Sequence, residues 1–478
     1  MVGPHRLPCE TPQAHPAREA ARPTRWVLPA TILGSSLSFI DSSVVNVALP
    51  AIQNGLGAEL AAMQWVVNGY MLTLASLILL GGAASDRLGR RRVFLIGLAG
   101  FAATSLVCGL APSADWLIAA RLAQGAAAAL LVPASLAIIG AAFSGEARGR
   151  AIGTWAAAGA LTTALGPLLG GWLVDTIGWR SIFFVNLPLA AIAIWLALKL
   201  PADRPAGADK PLDLLGALLA VLGLGLLSYG LIALGSGRTL NGVIALAAAL
   251  PAIWLFLRAE ARTAAPMMPL TLFRDATFAG ANALTVLLYA ALSGALFLLP
   301  FLLIQAHGYS AAAAGAAFLP FSIIMGLGSR WAGGLVERMN ARLPLVAGAA
   351  LTGVGFAVLA VSGETPSYWS GVFPGLVIVG IGMTLCVAPL TTTIFNSAPS
   401  EMSGAASGIN NAAARAGGLL AVAALGLAFG GADASSMQAA TLVEAYRVVM
   451  FAAAALAVLS ALTAALTIGP QPKQQGSR

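Results

Sequence analysis

Long apolar stretches, each about long enough to cross a bilayer, most constrain what this chain can fold into. The first covers residues 26–50, and thirteen more follow along the 478 residues. A helix needs about 20 apolar residues to span the hydrocarbon core of a bilayer. Hydrophobic residues make up 59% of the chain and charged residues 9%, whereas soluble domains carry about 25% charged residues. Because the stretches lack the period-two alternation of barrel strands, the sequence predicts an all-α polytopic membrane protein.

The fourteen predicted helices are separated by short polar loops, which leave no room for a sizeable soluble domain. The predicted ranges are 26–50, 63–85, 93–111, 116–140, 151–174, 182–198, 214–234, 241–257, 278–305, 312–329, 343–361, 370–394, 405–430 and 448–468.

The basic residues of the loops set the expected orientation of these helices. With fourteen crossings, 21 of the 26 Lys and Arg residues fall on one side, three on the other, and two within helices. Cytoplasmic loops carry the excess of Lys and Arg. We therefore expect a multi-pass protein of the cytoplasmic membrane with both termini in the cytoplasm.

One carboxylate, Asp41, lies inside the first apolar stretch. A charged side chain at the bilayer centre costs roughly 2.5–3.5 kcal/mol on insertion scales, so such a residue is a functional-site candidate. Burial favours the neutral form of a carboxyl group, while a nearby cation favours the charged form. A carboxyl group balanced between the two can load and release a proton, which is the role we expect of Asp41. The alternative is a carboxylate that only pins a neighbouring helix.

Two arginines, Arg121 and Arg415, also fall inside predicted helices. A buried guanidinium stays charged, so Arg121 could act on the protonation of Asp41. We therefore assign Asp41 and Arg121 to proton coupling. The alternative for Arg121 is a side chain that extends to the membrane interface. For Arg415, a structural hydrogen-bonding role and a gating role remain open.

A basic loop and a Gly-Pro segment are candidates for conformational gating. Proline inside a helix removes a hydrogen bond and kinks the helix, and flanking glycines let a neighbouring helix pack closely. The acid of the loop can interact with the positive end of the following helix dipole, whereas its arginines could serve only to orient the chain. The gating candidates are Gly82, Asp86, Arg87, Gly89, Arg90, Arg91, Gly166, Pro167, Gly170 and Gly171.

A weak internal repeat divides the chain. The spacing of an acid, an arginine and a final arginine in the loop at 82–91 recurs at 333–342. Transporters are often built from such repeats, with the substrate site at the interface between them. We expect tails at 1–25 and 469–478, six-helix bundles at 26–200 and 263–468, and two extra helices within 201–262.

Polar and aromatic residues of several helices are candidates for a substrate cavity, although each one taken singly could be structural. They are Asn68, Gln124, Trp155, Asn282, Tyr289, Gln305, Asn410, Asn411 and Arg415.

Several motifs together resemble a known family. The first helix contains the signature Asp41, Val44, Val45, Asn46, Val47, Ala48, Leu49 and Pro50. Later motifs are the loop at 82–92, the Arg121, Gln124 and Gly125 set, the Gly166, Pro167, Gly170 and Gly171 set, the run Trp179, Arg180, Ile182, Phe183, Asn186 and Pro188, the run Leu272, Phe273, Arg274 and Phe278, and the set Gly404, Ser407, Gly408, Asn410 and Arg415. In this order they resemble the major facilitator superfamily, in its fourteen-helix drug:proton antiporter branch (EmrB/QacA-type). Ser43, Ala84 and Thr162 stand where Thr, Leu and Gly are usual.

This resemblance implies a fold of two six-helix bundles with two central extra helices. It also implies a proton-coupled antiporter that exports amphipathic drugs or secondary metabolites. We expect a lipophilic small-molecule substrate, the lipid bilayer as surroundings, no nucleic-acid partner and function as a single chain. A nutrient symporter remains the alternative.

The energy source is expected to be the proton gradient. The only lysines are Lys199, Lys210 and Lys473, and none lies in a Gly-rich phosphate loop. One proton that enters down about 150 mV releases roughly 3.5 kcal/mol, enough for a solute gradient of a few hundredfold. His5, His15 and His307 lie outside the predicted helices, and no cluster has metal or nucleophile spacing. We therefore expect no metal and no cofactor other than the proton, and a membrane-embedded enzyme is the least favoured alternative.

Overall fold

The computed structural model describes residues 25–201, 212–263, 265–338, 340–399, 402–429 and 439–469, without the side chains at 145–146, 330 and 333–338. Most of both predicted tails, residues 202–211 of the predicted linker and most side chains of the second repeat loop lie outside this description. Within the described ranges all regular structure is helical and no strand occurs. The predicted all-α polytopic class is confirmed.

The first part of the chain forms seven helices, and two more follow. They are α1 (Val27–Leu56), α2 (Leu60–Leu88), α3 (Arg90–Gly109), α4 (Ala114–Ala142), α5 (Gly145–Thr176), α6 (Ser181–Phe184), α7 (Asn186–Ala197), α8 (Leu214–Gly235) and α9 (Thr239–Arg262).

The second part begins with a short 3₁₀ helix, Leu270–Arg274, and contains eight further helices. They are α10 (Ala276–Phe301), α11 (Ala311–Ala316), α12 (Leu319–Arg338), α13 (Arg342–Ser362), α14 (Tyr368–Gly371), α15 (Phe373–Asn396), α16 (Ser403–Ala424) and α17 (Ala439–Thr467). A π-helical turn, Leu302–Ala306, extends α10, and a 3₁₀ turn, Leu425–Phe429, extends α16.

Thirteen helical segments of the described ranges are long and apolar enough to cross a membrane. The predicted sixth helix is the exception, because it is divided into α6 and α7, which together cover only Ser181–Ala197. Pro188 explains the break, since it has no N–H to donate and its ring collides with the carbonyl four residues earlier. The fourteenth predicted segment therefore exists as a shorter, interrupted helix.

Side-chain caps fix where several helices begin. Asp213 and Asp275 each accept a hydrogen bond at 2.8 Å from the backbone N–H three residues later, at the starts of α8 and α10. Ser113 does the same for Trp116 at the start of α4. Such caps satisfy backbone donors that a helix leaves free at its first turn.

The helices of the two parts meet along several contacts. Helix α2 packs against α16, α5 packs against α11 and α12, and α1 contacts α10. The extra helices α8 and α9 pack against each other, and α8 also contacts both α2 and α16. The extra pair therefore lies beside the seam between α2 and α16. The division into two six-helix bundles stays a prediction.

Candidate functional site

A buried ion pair joins α1 to α4. Nη1 of Arg121 lies 2.5 Å from Oδ2 of Asp41, and each side chain is 1% exposed. Arg121 lies two turns inside α4 and points into the bundle, so it does not extend to the interface as the alternative interpretation proposed. The two residues predicted to couple protons are thus in direct contact.

Amide side chains complete the surroundings of the carboxylate. Nε2 of Gln124 donates to Oδ1 of Asp41 at 3.1 Å, and Nδ2 of Asn186 donates to the same oxygen at 3.4 Å. Both amides also donate to the hydroxyl of Ser105, at 2.8 Å and 3.3 Å. Gln124, expected in the substrate cavity, instead belongs to this ion-pair cluster, which we define as Asp41, Arg121, Gln124, Asn186 and Ser105.

The guanidinium of Arg121 has partners besides the carboxylate. Its Nη1 donates to Oε1 of Gln124 at 2.7 Å, and its Nε donates to the carbonyl of Val66 at 3.2 Å. Its Cζ also lies 4.2 Å from the ring centroid of Tyr70, an arrangement in which an aromatic face attracts a cation. Arg121 would therefore keep several contacts after loss of the ion pair.

The chemistry of the cluster follows from its donors and acceptors. Every contact that Asp41 makes through its side chain is with a donor, which is what an ionised carboxylate accepts. Binding a proton at Asp41 would remove its charge and with it the ion pair to Arg121. The arrangement can therefore hold two states that differ by one proton.

The Gly-Pro segment of α5 lies against α1 next to Asp41. A Cβ at Gly166 would collide with the side chain of Ser43, and one at Gly170 would lie 2.9 Å from Cγ1 of Val44. A Cβ at Gly171 would collide with the backbone of Ala311 in α11. These predicted gating glycines thus permit close approaches to two different helices.

The basic loop between α2 and α3 has a more local structure. Gly89 has φ +95°, a conformation that favours glycine. Asp86 and Arg90 form an exposed ion pair at 3.9 Å, and such surface pairs contribute little. Arg91 donates to the carbonyls of Ala197 and Leu198 at 3.1 Å and 2.6 Å.

Gly82 does not make the close helix contact expected of the gating glycines. The close approach to α4 occurs at Gly81, where a Cβ would collide with the backbone of Ala129, whereas at Gly82 the nearest atom, of Pro133, is 3.8 Å away. Arg87 lies half-buried in the last turn of α2.

Five of the remaining substrate-cavity candidates have hydrogen bonds to different partners, and their grouping around a cavity stays a prediction. Gln305 donates to Gln53, Trp155 donates to Ser35, Asn410 accepts from Thr285, and Asn282 and Asn411 donate to carbonyls of their own helices, Phe278 and Ser407.

Asn68 differs from these residues. It is fully buried, and neither atom of its side-chain amide has a hydrogen-bond partner among the described residues. On α2 it lies one turn from Gln64, which donates at 2.7 Å to the carbonyl of Val422 in α16. Buried polar groups without partners cost free energy, so the free amide is notable at this seam.

Arg415 is half-buried in α16. It has no hydrogen bond or ion pair with any described residue. This disfavours the structural hydrogen-bonding role that the sequence left open.

Hydrogen bonds join the two parts of the chain at one end of the bundle. Oδ1 and Oδ2 of Asp175, in the last turn of α5, accept from the N–H groups of Ala311 and Ala312 at 3.1 Å and 2.7 Å. The Gln305–Gln53 bond and the Gln64–Val422 bond lie at the same end, where α1 ends and α2 begins. We call this end the α1–α2 end.

Asn186, Ser105 and Gly81 are contributors that the sequence did not single out. Asn186 carried a usable signal, because it is an amide among apolar residues and belongs to one of the family-like motifs. Ser105 and Gly81 carried none, since small residues are common in membrane helices.

The described residues form a polytopic helical bundle with a buried ion pair between its helices. The chain belongs to the Major Facilitator Superfamily, whose family model matches residues 31–422. The family resemblance inferred from the motifs is thereby confirmed, and the protein is a transporter rather than an enzyme.

Relatives and solved structures agree with this assignment. The chain is 39% identical over 403 residues to the multidrug resistance protein Stp of Mycobacterium tuberculosis, covering 84% of this chain and 74% of Stp. It is 36% identical over 426 residues to the tetracenomycin C resistance and export protein of Streptomyces glaucescens, covering 87% and 78%. In fold it resembles the crystal structure of a bacterial homolog of the human lysosomal transporter Spinster, with a TM-score of 0.66 at 19% identity and coverage of 92% and 96%.

Proposed function

We propose that this protein is a proton-coupled antiporter that exports lipophilic small molecules, such as drugs or secondary metabolites, across the cytoplasmic membrane. The similarity to a multidrug resistance protein and to a resistance and export protein supports export of such molecules. We further propose that a single chain suffices and that both termini are cytoplasmic, as the distribution of basic residues indicates.

The observation that carries the proposal is the burial of Asp41 against Arg121 inside the bundle. An ionised pair in the interior is stable only while both partners are charged and well hydrogen-bonded. A proton on Asp41 would leave Arg121 with Gln124, the Val66 carbonyl and the Tyr70 ring. The proton therefore changes which helices Arg121 holds together.

A chain of contacts can transmit protonation of Asp41 to the contact between α5 and α11, which belong to the two different parts of the chain. Asp41 is followed in α1 by Ser43 and Val44, which lie against the glycines of α5. Further along α5, Gly171 lies against α11. A shift of α1 on protonation would thus act on α5 and on its contact with α11.

In the proposed orientation the α1–α2 end faces outward, and its hydrogen bonds close the route to the outside. At 1% exposure, Asp41 is also shut off from solvent in this conformation. Proton exchange then requires the conformation in which the α1–α2 end has opened. Antiport then consists of alternation between the conformation in which the α1–α2 end is closed and the one in which it is open.

A susceptibility panel in a host that lacks its own pumps tests the proposal. Wild type should raise the tolerated concentration of at least one lipophilic compound, and Asp41→Asn should abolish this effect while the protein still reaches the membrane. Everted vesicles that accumulate the same compound on acidification of their lumen would separate export from symport. Equal resistance from both forms would remove Asp41 from the mechanism.

A further inference from the structure

Two carboxylates meet at the end of the extra helices opposite the α1–α2 end. Asp213 caps α8, and its Oδ1 accepts a hydrogen bond from the N–H of Gly216 at 2.8 Å. Glu260 lies in the last turns of α9, and its Oε2 accepts from the N–H of Met268 at 2.9 Å. Each acid therefore uses one oxygen to hold a backbone donor.

The second oxygens of these acids face each other inside the protein. Asp213 is 9% exposed and Glu260 is 2% exposed. Within the described part of the chain, neither Oδ2 of Asp213 nor Oε1 of Glu260 has a hydrogen-bond donor. Both lie 2.7 Å from the point where a Cβ at Gly216 would be, so these two oxygens lie close to each other beside Gly216.

Among the described residues, no cation forms an ion pair with either acid. Arg258 and Arg262 of α9 are exposed and form no ion pair with either acid. The helices packed against α8 besides α9 are α2 and α16, and their charged residues, Asp86, Arg87 and Arg415, form no ion pair with either acid. Two ionised carboxylates cannot share a buried site without a counter-charge.

We propose that Asp213 and Glu260 form a proton-binding site that holds one shared proton between Oδ2 and Oε1. One acid then donates the missing hydrogen bond and the other accepts it, so both unpaired oxygens are satisfied. This site is separate from Asp41, and the proposal does not depend on which compound the protein transports.

The geometry favours a proton over a metal ion. Magnesium and calcium take six or more oxygen ligands, whereas the described residues supply two free carboxylate oxygens here and contain no group of three or more potential metal ligands.

The hydrogen bond made by the shared proton connects three segments. It links the start of α8 to the end of α9, and through the N–H of Met268 it links both to the segment that leads into α10. Loss of the proton would leave two buried negative charges side by side and push these segments apart. Because folding takes up a proton at this site, stability at this junction is present at low pH and is lost as pH rises.

Thermal unfolding of the purified full-length protein in nanodiscs, from about pH 6 to 8.5, tests the proposal. The unfolding midpoint of wild type should fall by a few degrees across this range. Asp213→Asn and Glu260→Gln each supply an amide donor that needs no titrating proton, so the midpoint of each should stay nearly constant.

Asp275→Asn is the matched control, because Asp275 caps α10 with the same 2.8 Å geometry but faces no second carboxylate. This variant should retain the wild-type pH dependence. Amide variants that follow the wild-type curve would overturn the proposal.

An infrared measurement covers the case in which the amide variants do not fold. In an Asp41→Asn background, a protonated-carboxyl band should be present at neutral pH and should disappear on alkalinisation. Absence of the band at neutral pH would equally refute the shared proton.

Discussion

Removing one partner of the Asp41–Arg121 pair leaves a charge inside the bundle without its counter-charge. Breaking a buried pair in this way costs about 3–5 kcal/mol, whereas removing both partners is often nearly neutral. We expect Arg121→Gln to lower the free energy of unfolding by about this amount, and Asp41→Asn/Arg121→Gln to recover most of the loss.

Unfolding of the purified single and double variants provides the measurement. The two residues are in contact, so their effects should not add. Additive losses in the double variant would mean that the pair contributes no coupling.

Asn68 gives a second prediction at the scale of single residues. Its buried amide has no partner, and leaving a polar group unsatisfied costs about 1–3 kcal/mol. Asn68→Leu, which is similar in volume, should therefore raise the free energy of unfolding while it slows export, because the seam between α2 and α16 becomes harder to open. Thermal unfolding and dye efflux measured on the same preparation test this. A loss of stability would mean that the amide is hydrated and needed for folding.

How far the site could be predicted differs from residue to residue. Asp41 and Arg121 could be identified from the sequence because a charged side chain inside an apolar stretch has a high free-energy cost in the bilayer and is therefore rare without a function. Their contact could not be predicted, since 80 residues separate them and the relation of α1 to α4 depends on tertiary contacts. Gln124 was placed in the cavity because its family-like motif does not say which way the side chain points.

At the scale of elements, α5 is held against two neighbours by glycines. Gly171 lies so close to Ala311 of α11 that any Cβ would collide with backbone. Gly171→Val should therefore push α5 and α11 apart and shift the protein away from the conformation in which the α1–α2 end is closed. Export should fall severalfold at unchanged expression.

Gly153→Val is the matched control on the same helix, because no atom lies within 4 Å of a Cβ there. It should leave export close to the wild-type level. Similar losses from both substitutions would point to a general effect on α5.

Helix existence was predictable and helix continuity was not. Runs of apolar residues identified every long helix, because only a helix satisfies its backbone within a bilayer. The break before α7 required weighing Pro188 against an otherwise uninterrupted apolar run. The close approach at Gly81 instead of Gly82 depends on helix rotation, which a glycine pair in the sequence does not specify.

Across the molecule, antiport requires the α1–α2 end to open and close in each cycle. Both carboxylate oxygens of Asp175 hold the start of α11 at this end. A disulfide between Asp175→Cys and Ala312→Cys, formed in the intact membrane, should stop export, and a reductant should restore it. Of the three native cysteines, Cys108 and Cys386 are buried and should not interfere. Cys9 lies outside the described residues and is replaced by Ser in the background for this experiment.

Each single cysteine variant, treated with the same oxidant, serves as the control for this cross-link. Export that continues through the oxidised double variant would mean that the α1–α2 end does not need to open.

Proton release on substrate binding would show whether Asp41 exchanges a proton for the transported compound. A compound identified in the susceptibility panel is added to purified protein in weakly buffered solution, and the released protons are counted with a pH indicator. We predict release by wild type and none by Asp41→Asn, because the carboxyl group of Asp41 exchanges its proton for the cargo. Binding of the compound with equal proton release from both forms would contradict this account.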